Sequence, residues 1–241
     1  MSAQLLFYSD ATPISLEHHK NASIRPLTNY GYTGGVNAVP IVGPEFGKAA
    51  CDMMIVFAGD ENGMMPMAVL GLRDGENLFL DPAQQWSGRY VPAFIRRYPF
   101  AFSMSADGQT FTLCIDENFA GFNRDGEGSN LFDENGERSE YLTNVLAFMQ
   151  DYQGQYHATR AFCGRLLERG LLEPMHVEYN LLDGTSGVMR GFHAINREKL
   201  KALPADVLEE MSQGDELELA YVHLQSLNNL DPLLNRMSPP A

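Results

Sequence analysis

Short apolar segments separated by glycine-containing turns are the main pattern of this chain. Their length and their aromatic and β-branched content predict strands, and Asp-Gly pairs at 74–75, 107–108 and 183–184 favour tight turns between neighbouring segments. Strands joined by such turns form antiparallel hairpins. The predicted strands cover residues 53–58, 65–72, 77–80, 100–104, 110–115, 175–182 and 188–195.

Helical patterns lie between and after these strands. Apolar residues recur at helical spacing through residues 139–169, which predicts one long amphipathic helix. Shorter helices are predicted over residues 45–51, 81–97, 197–213 and 216–236. Hairpins mixed with helices, without repeated strand–helix units, predict an α+β fold in which antiparallel hairpins pack against several helices.

The chain contains no proline- or serine-rich linker, so we expect a single composite domain over residues 1–241. A chain of 241 residues that is 44% hydrophobic is long enough to bury a core without disulfides. Within the domain, residues 1–35 are predicted to form an N-terminal arm. Residues 116–140 are predicted to form an acidic loop, with eight acidic and two basic residues, before the long helix 139–169.

Charge narrows the range of partners. Seventeen Lys and Arg residues against thirty-one Asp and Glu residues give a net charge of −14. Such a chain repels phosphate backbones and anionic headgroups. We therefore expect neither nucleic acid nor a membrane surface as a partner, and a homodimer is left open.

Neither a signal peptide nor a membrane span is predicted. The first residues have no basic opening followed by an apolar run, and no segment approaches the ~20 apolar residues that a span requires. The expectation is a cytoplasmic protein without membrane insertion, which reaches the cell surface only by export without a cleaved signal. Cys51, Cys114 and Cys163 lie far apart among apolar neighbours and are predicted to be buried free thiols.

The acidic loop contains the ligands of a candidate calcium site. Asn123, Asp125, Glu127 and Glu134 stand at positions one, three, five and twelve of an EF-hand-like spacing, with Gly128 at position six. Calcium prefers several oxygen ligands around a sharp turn. The predicted element before the loop is a strand rather than a helix, so a solvated acidic loop is the alternative.

Two histidines and a carboxylate form a candidate iron site. His176 and Glu178 lie in a predicted strand, and His223 lies in a predicted helix. Two His and one carboxylate are the ligand set of non-haem iron oxygenases. Arg236 and Ser238 would then bind the carboxylate of 2-oxoglutarate. The alternative is that these histidines are structural, and no cofactor other than iron or calcium is considered.

A basic and aromatic segment is the candidate surface for a partner or ligand. Arg96, Arg97, Tyr98 and Phe100 combine cationic and aromatic side chains that form such a surface if they are exposed. The alternative is an arginine stacked on an aromatic ring to seal the core. The sequence leaves open whether the bond before Pro99 is cis.

Common catalytic motifs are absent from the sequence. It contains no GxSxG, P-loop, GxGxxG or HExxH pattern. This absence argues against the common hydrolase, NTPase, dinucleotide-binding and zincin classes, and no catalytic residue is assigned.

Sequence blocks along nearly the whole chain resemble the bacterial SapC family. The most specific are Arg-Arg-Tyr-Pro-Phe at 96–100 and Leu-Cys-Ile-Asp at 113–116. The blocks, in chain order, are residues 39–42, 68–72, 75–79, 90–100, 113–117, 131–133, 170–174, 182–184, 191–192, 198–200 and 220–227.

The resemblance implies an accessory protein rather than an enzyme. The family takes its name from an association with surface layers, and no catalytic activity is established for it. Relatives are often encoded beside TonB-dependent receptors, halogenase-like proteins and cupin-like oxygenases, which implies a role in ligand uptake or modification. The first hypothesis is therefore a protein that binds a partner or a small ligand. An iron oxygenase and a calcium-stabilised surface component are the alternatives.

Overall fold

Helices and three antiparallel sheets make up the computed structural model, which describes residues 6–60, 63–104, 110–181 and 184–237. This arrangement confirms the predicted α+β class. The strands are β1 (Ala11–Pro13), β2 (Ser23–Ile24), β3 (Ala38–Pro40), β4 (Met54–Asp60), β5 (Gly63–Val69), β6 (Phe100–Met104), β7 (Phe111–Asp116), β8 (Phe122–Asn123), β9 (Ser129–Asn130), β10 (Leu172–Asn180) and β11 (Ser186–Ile195). The α-helices are α1 (Leu16–His19), α2 (Phe46–Ala49), α3 (Ala93–Arg96), α4 (Glu140–Glu168), α5 (Arg197–Lys201), α6 (Ala205–Gln213), α7 (Glu216–Ser226) and α8 (Leu230–Met237).

The largest sheet has five strands in the order β10-β11-β4-β5-β3. Strands β4 and β5 pair from Met54 opposite Val69 to Asp60 opposite Gly63. Residues 54–57 of β4 are at most 3% exposed, because the strand is covered on both faces. This burial explains the unbroken apolar run that predicted the strand.

A second hydrophobic core lies around the sheet β1-β7-β6. The predicted hairpin of β6 and β7 is present, although its Asp107-Gly108 turn is outside the described residues. The Tyr98–Pro99 bond before β6 is cis. Phe7, Tyr32 and Phe148 pack against both cores and so connect them.

The N-terminal arm and the acidic loop fold together. In the described part of residues 1–35, β1 pairs with β7, and β2 lies between β8 and β9. Strands β8 and β9 belong to the segment 116–140 that was predicted to be a loop, and Leu131 and Phe132 of this segment are buried. The acidic residues therefore lie on a segment anchored by short strands and by two apolar side chains.

The predicted long helix is observed as α4. Its first turn is capped by Ser139, whose hydroxyl accepts a hydrogen bond from the Leu142 N–H at 3.1 Å. The chain leaves the helix at Gly170, which has a φ of 65°. Among the helices in the described ranges, none is long and apolar enough to cross a bilayer.

The predicted helix over residues 81–97 is wrong, except for its last turn, α3. Backbone groups of the segment bond to other parts of the protein instead of to the next helical turn. The Ser87 N–H donates to the Phe79 carbonyl at 2.8 Å, and the Arg89 N–H donates to the Asp52 carboxylate at 2.6 Å. Tertiary contacts override the helical propensity of this segment.

Two predicted turns differ in outcome. Asp74-Gly75 forms a turn with Gly75 at a φ of 73°, but its flanking segments are not strands. They are joined by a backbone hydrogen bond of 2.8 Å from Leu78 to Leu70. The turn between β10 and β11 includes Gly184, whereas Asp183 is outside the described residues.

The buried carboxylate of Glu45 joins two segments of the chain, residues 42–45 and 90–93. Glu45 is 4% exposed, and one carboxylate oxygen accepts a hydrogen bond from the Val42 N–H at 2.9 Å. The other oxygen accepts from the Ala93 N–H at 2.7 Å and from the Tyr90 hydroxyl at 2.8 Å. Burial, with the Glu45 carboxylate beside it, raises the pKa of Tyr90 to about 12, so this hydroxyl remains a donor. These bonds fix the start of α3 against the turn before α2.

We expect Glu45→Ala to lower the free energy of unfolding by about 3–5 kcal/mol. The substitution leaves the buried N–H groups of Val42 and Ala93 without an acceptor, and each such loss costs about 1–3 kcal/mol. Urea denaturation measures the change. Glu134→Ala removes an exposed carboxylate and is the matched control, with an expected change within about 0.5 kcal/mol. Equal losses in the two variants would contradict the role given to Glu45.

Candidate functional site

The candidate iron ligands are not brought together. His176 and Glu178 lie on β10 with side chains 62% and 68% exposed, and their nearest charged atoms are 3.8 Å apart. His223 lies on α7 and is fully buried. No group of three or more His, Cys, Asp or Glu side chains with metal-binding geometry occurs in the described part of the chain.

His223 instead connects α7 to the large sheet. Its Nε2 accepts a hydrogen bond from the Ile195 N–H at 3.1 Å, and its ring centroid is 4.8 Å from that of Phe57. One helical turn later, the Ser226 hydroxyl accepts from the Ile55 N–H at 3.0 Å. Burial lowers the pKa of His223 to about 4, so the ring is neutral at neutral pH. This is the structural role that the sequence left open for this histidine.

The proposed 2-oxoglutarate clamp is also not supported by the geometry. The Arg236 guanidinium lies 4.3 Å from the ring centroid of Phe79 and donates hydrogen bonds to the Leu78 carbonyl and the Ser87 hydroxyl. Arg236 therefore fixes the end of α8 to the loop before α3. Ser238 is outside the described residues.

The candidate calcium ligands serve the turn between β8 and β9. The Asn123 side-chain oxygen accepts hydrogen bonds from the N–H groups of Asp125 and Glu127 at 3.2 and 3.1 Å. The Glu127 carboxylate pairs with Arg25 at 3.1 Å. Asp125 and Glu134 are exposed. Among the described residues, neither belongs to a group of three or more side chains that could hold a metal ion. Asn123 and Glu127 thus stabilise the turn between β8 and β9.

The basic and aromatic segment is mostly buried and does not form an exposed platform. Arg97, Tyr98 and Phe100 are 4%, 9% and 4% exposed, whereas Arg96 is exposed. The Arg97 guanidinium carbon lies 4.1 Å from the ring centroid of Phe94, which is the stacked arrangement considered as the alternative. Arg97 is a lining residue of a partly open recess.

The thiols offer no activated nucleophile. Cys114 and Cys163 are buried as predicted, and burial raises the pKa of Cys163 to about 12. Cys51 differs from the prediction because it is exposed after the end of α2. Its thiol donates to the Gly47 carbonyl at 3.3 Å.

Two open clefts are lined by polar groups that are already paired. A cleft of about 560 Å³ lies beneath residues 25–29, where Arg25 bonds to Glu127 and the Tyr32 hydroxyl donates to the Ile95 carbonyl. A second cleft, of about 480 Å³, lies between α2, α4 and α7. Arg165 on its wall is paired with Glu216. Binding in either cleft would have to compete with these internal contacts.

A third recess differs from both clefts and is named the Tyr152 cavity here. It has a volume of about 270 Å³ and lies between the β4–β5 hairpin, α3 and α4. Residues 63, 65 and 67 alternate along β5 and contribute one wall, and Tyr152 and Tyr156 contribute the opposite wall from successive turns of α4. Its lining residues are Pro40, Ala58, Gly59, Gly63, Met65, Met67, Phe94, Arg97, Tyr152 and Tyr156.

The Tyr152 hydroxyl is the unusual group of this cavity. Tyr152 is 3% exposed, yet its hydroxyl has no hydrogen-bond partner among the described residues. The Arg97 guanidinium carbon lies 5.4 Å from the Tyr152 ring centroid, and the pKa of Tyr152 is raised by burial. Buried hydroxyls nearly always have a hydrogen-bond partner, so this hydroxyl requires one, such as an ordered water or a ligand.

Sequence reasoning did not identify this site. Tyr152 and Tyr156 were counted among the apolar positions of the long helix. For Arg97 the sequence left two alternatives open, a partner or ligand surface and stacking on an aromatic ring in the core. The available signal was the presence of two tyrosines, four residues apart, on the buried face of α4. A buried tyrosine carries a hydroxyl that requires a partner, whereas a phenylalanine does not.

The structure defines an α+β protein in which two hydrophobic cores adjoin and a partly open recess is lined mainly by apolar side chains, together with Arg97 and two tyrosines. The chain belongs to the SapC family, whose family model matches residues 14–233. This match confirms the resemblance inferred from the sequence blocks. No curated protein and no solved structure gives a significant match to the chain.

Replacing His223 by glutamine is expected to remove a pH dependence of stability between pH 6.5 and 4. In wild type, burial lowers the pKa of His223 from 6.5 to about 4, and the unfolded chain titrates near the higher value. As the pH falls through this window, the unfolded state binds a proton that the folded state does not. The free energy of unfolding therefore falls by about 3 kcal/mol because of this residue alone.

Urea denaturation at several pH values between 7 and 4 measures this effect. The His223→Gln variant is expected to lose about 3 kcal/mol less than wild type over the window. His176→Gln removes an exposed histidine and is expected to follow the wild-type curve. If the free energy of unfolding of His223→Gln fell with decreasing pH as steeply as that of wild type, His223 would not be held neutral by the fold.

Proposed function

We propose that this SapC-family protein is an accessory protein that binds a small ligand in the Tyr152 cavity. The observation that carries the proposal is that Tyr152 is a lining residue of the cavity and that its buried hydroxyl has no described hydrogen-bond partner. A ligand that accepts its hydrogen bond would supply the missing partner. The remaining wall would contact the apolar part of the ligand.

The size and lining of the cavity suit a small molecule. Ligand sites usually have volumes of about 300–1,000 Å³ and combine apolar walls with a few polar groups. The Tyr152 cavity, at about 270 Å³, is at the lower end and suits a compact ligand. Met65 and Met67 have flexible, polarisable side chains, which adjust to ligand shape at low cost.

Binding fits the lining better than catalysis does. The described residues of the wall include no histidine, cysteine or serine that would act as nucleophile or general base. Tyrosine and arginine donate hydrogen bonds and orient a ligand. The proposed role is therefore to hold a molecule and pass it on, without chemical change.

The SapC resemblance supplies a setting for this role. We propose that the ligand is one handled by a TonB-dependent receptor, a halogenase-like protein or a surface layer. The hairpin of β10 and β11 is the candidate contact with a protein partner, since β10 is an edge strand of the large sheet. Met175 and Val188 on this hairpin are 46% and 44% exposed.

Blocking the cavity is expected to abolish ligand binding. Ala58 lies opposite Met65 in the β4–β5 ladder and lines the cavity, so Ala58→Phe fills the space that a ligand would use. The probes are indole, phenol, isovalerate and phenylacetate, tested by isothermal titration calorimetry. At least one is expected to bind wild type with a Kd below about 1 mM, and to bind the variant at least tenfold more weakly.

Ala202→Phe is the matched control, because Ala202 is exposed after α5, away from the cavity. It is expected to bind the same probes as wild type. Circular dichroism checks that both variants are folded. If Ala58→Phe does not fold, Ala58→Leu, with a smaller side chain, replaces it. Failure of all four probes to bind wild type, or equal binding by wild type and the folded cavity variant, would contradict the proposal.

A further inference from the structure

The hairpin of β10 and β11 presents an open strand edge. Strand β10 stands at the end of the large sheet, and among the described strands its neighbour is β11. Met175 is 46% exposed, and the side chains of His176 and Glu178 are 62% and 68% exposed. An open edge of this kind is a template for pairing with a further strand.

The backbone hydrogen bonds of the hairpin show which groups of β10 face this edge. At the two ends of the hairpin, the Leu181 N–H donates to the Thr185 carbonyl at 2.7 Å, and the Asn196 N–H donates to the Leu171 carbonyl at 2.8 Å. Because alternate residues of an antiparallel strand bond to the same neighbour, the odd-numbered residues of β10 bond to β11. The N–H and C=O groups of its even-numbered residues therefore point toward the open edge.

The irregularity of the hairpin leaves this alternation intact. Between Met175 and Val177, β10 has one residue where β11 has two, so the extra residue belongs to β11. Pro174 fits the same pattern, because the N–H that proline lacks would have pointed to the open edge. Pro174 thus blocks pairing at the start of the strand, whereas residues 176–180 offer free backbone groups.

Side-chain charge selects how a second copy of β10 pairs with the first. Two antiparallel copies are related by a two-fold axis, and outward-facing residues lie opposite outward-facing residues. An axis at Val177 places His176 opposite Glu178 of the partner subunit, and the symmetry repeats this pair. An axis at Glu178 places two carboxylates opposite each other, and an axis at His176 places two imidazoles there. Charge complementarity therefore favours the axis at Val177.

We propose that this chain forms a homodimer in which the β10 strands of two copies pair in antiparallel fashion about Val177. The two large sheets then continue into each other across the axis. One face of the interface carries the two pairs of His176 with Glu178. On the other face, the exposed Met175 lies opposite Tyr179 of the partner subunit and is covered. This inference goes beyond the proposed function, which leaves the partner of the hairpin open.

Sedimentation equilibrium of the full chain tests for the dimer. Contact along one strand is small compared with the roughly 1,200–2,000 Å² that stable interfaces bury, so the dimer is weak. In ~150 mM salt, which screens the repulsion between two chains of net charge −14, a Kd of about 10–100 µM is expected. Wild type that stays monomeric at about 500 µM would overturn the proposal.

Charge substitutions test the register. His176→Glu brings carboxylates together and Glu178→Lys brings an ammonium group beside an imidazole, twice in each dimer because of the two-fold axis. Each is expected to raise the Kd about tenfold. The double variant His176→Glu/Glu178→Lys restores opposite charges across the axis, and its Kd is expected to return to within about threefold of wild type. Losses that the double variant does not restore would overturn the register and, with it, the proposal.

His157→Glu is the matched control, because His157 is exposed on α4 and the substitution changes the net charge by the same amount. It is expected to leave the Kd unchanged, which separates a local contact from general repulsion between acidic chains. Circular dichroism checks that all variants are folded. If His176→Glu dimerised as tightly as wild type, the dimer would use another surface and the proposal would be wrong.

Binding of the cavity probes separates this inference from the proposed function. The charge variants are expected to bind indole, phenol, isovalerate and phenylacetate as wild type does, because β10 and β11 do not line the Tyr152 cavity. A monomer that binds a probe would overturn this inference and support the proposed function. A dimer with the predicted charge dependence that binds no probe would support this inference and contradict the proposed function.

Discussion

The buried carboxylate of Glu45 is the contact on which the arrangement of the candidate site depends. It joins the turn before α2 to Tyr90 and to the first N–H of α3. Helix α3 is only one turn long and would not be stable alone. Because its start is fixed by Glu45, Phe94 and Arg97 are held against α4 and the β4–β5 hairpin, where they form part of the cavity wall.

Several buried polar groups join helices to other segments of the fold. The ring of His223 accepts a backbone N–H, and Ser226 and Thr159 accept others. Each contact joins a helix to another segment. The Tyr152 hydroxyl forms no such connection among the described residues, although it is equally buried. Tyr152 shares this lack of a described partner with the Nδ1 atoms of His193 and His223, and it differs from them in being a lining residue of the cavity.

Much of the fold could be predicted from the sequence, whereas the site could not. Hydrophobic periodicity predicted β4, β5 and α4, because burial dictates the residues of these elements directly. It failed over residues 81–92, where backbone bonds to distant segments replace helical bonds. The iron and calcium candidates rest on spacing along the chain, which does not fix distances in space: His176 lies at the surface and His223 in the interior. The cavity is lined by residues of α3, α4 and β5. These elements are distant along the chain, so only the tertiary structure shows that they lie side by side.

The central claim is that a small ligand occupies the Tyr152 cavity, and methyl NMR tests it most directly. Of the twelve methionines, Met65 and Met67 line the cavity, whereas Met175 is exposed on the β10–β11 hairpin. In protein labelled with ¹³C at the methionine methyl groups, titration with at least one of indole, phenol, isovalerate and phenylacetate is expected to shift the resonances of Met65 and Met67 in a saturable manner and to leave that of Met175 unchanged. Unshifted Met65 and Met67 resonances with all four probes at millimolar concentration would contradict the account.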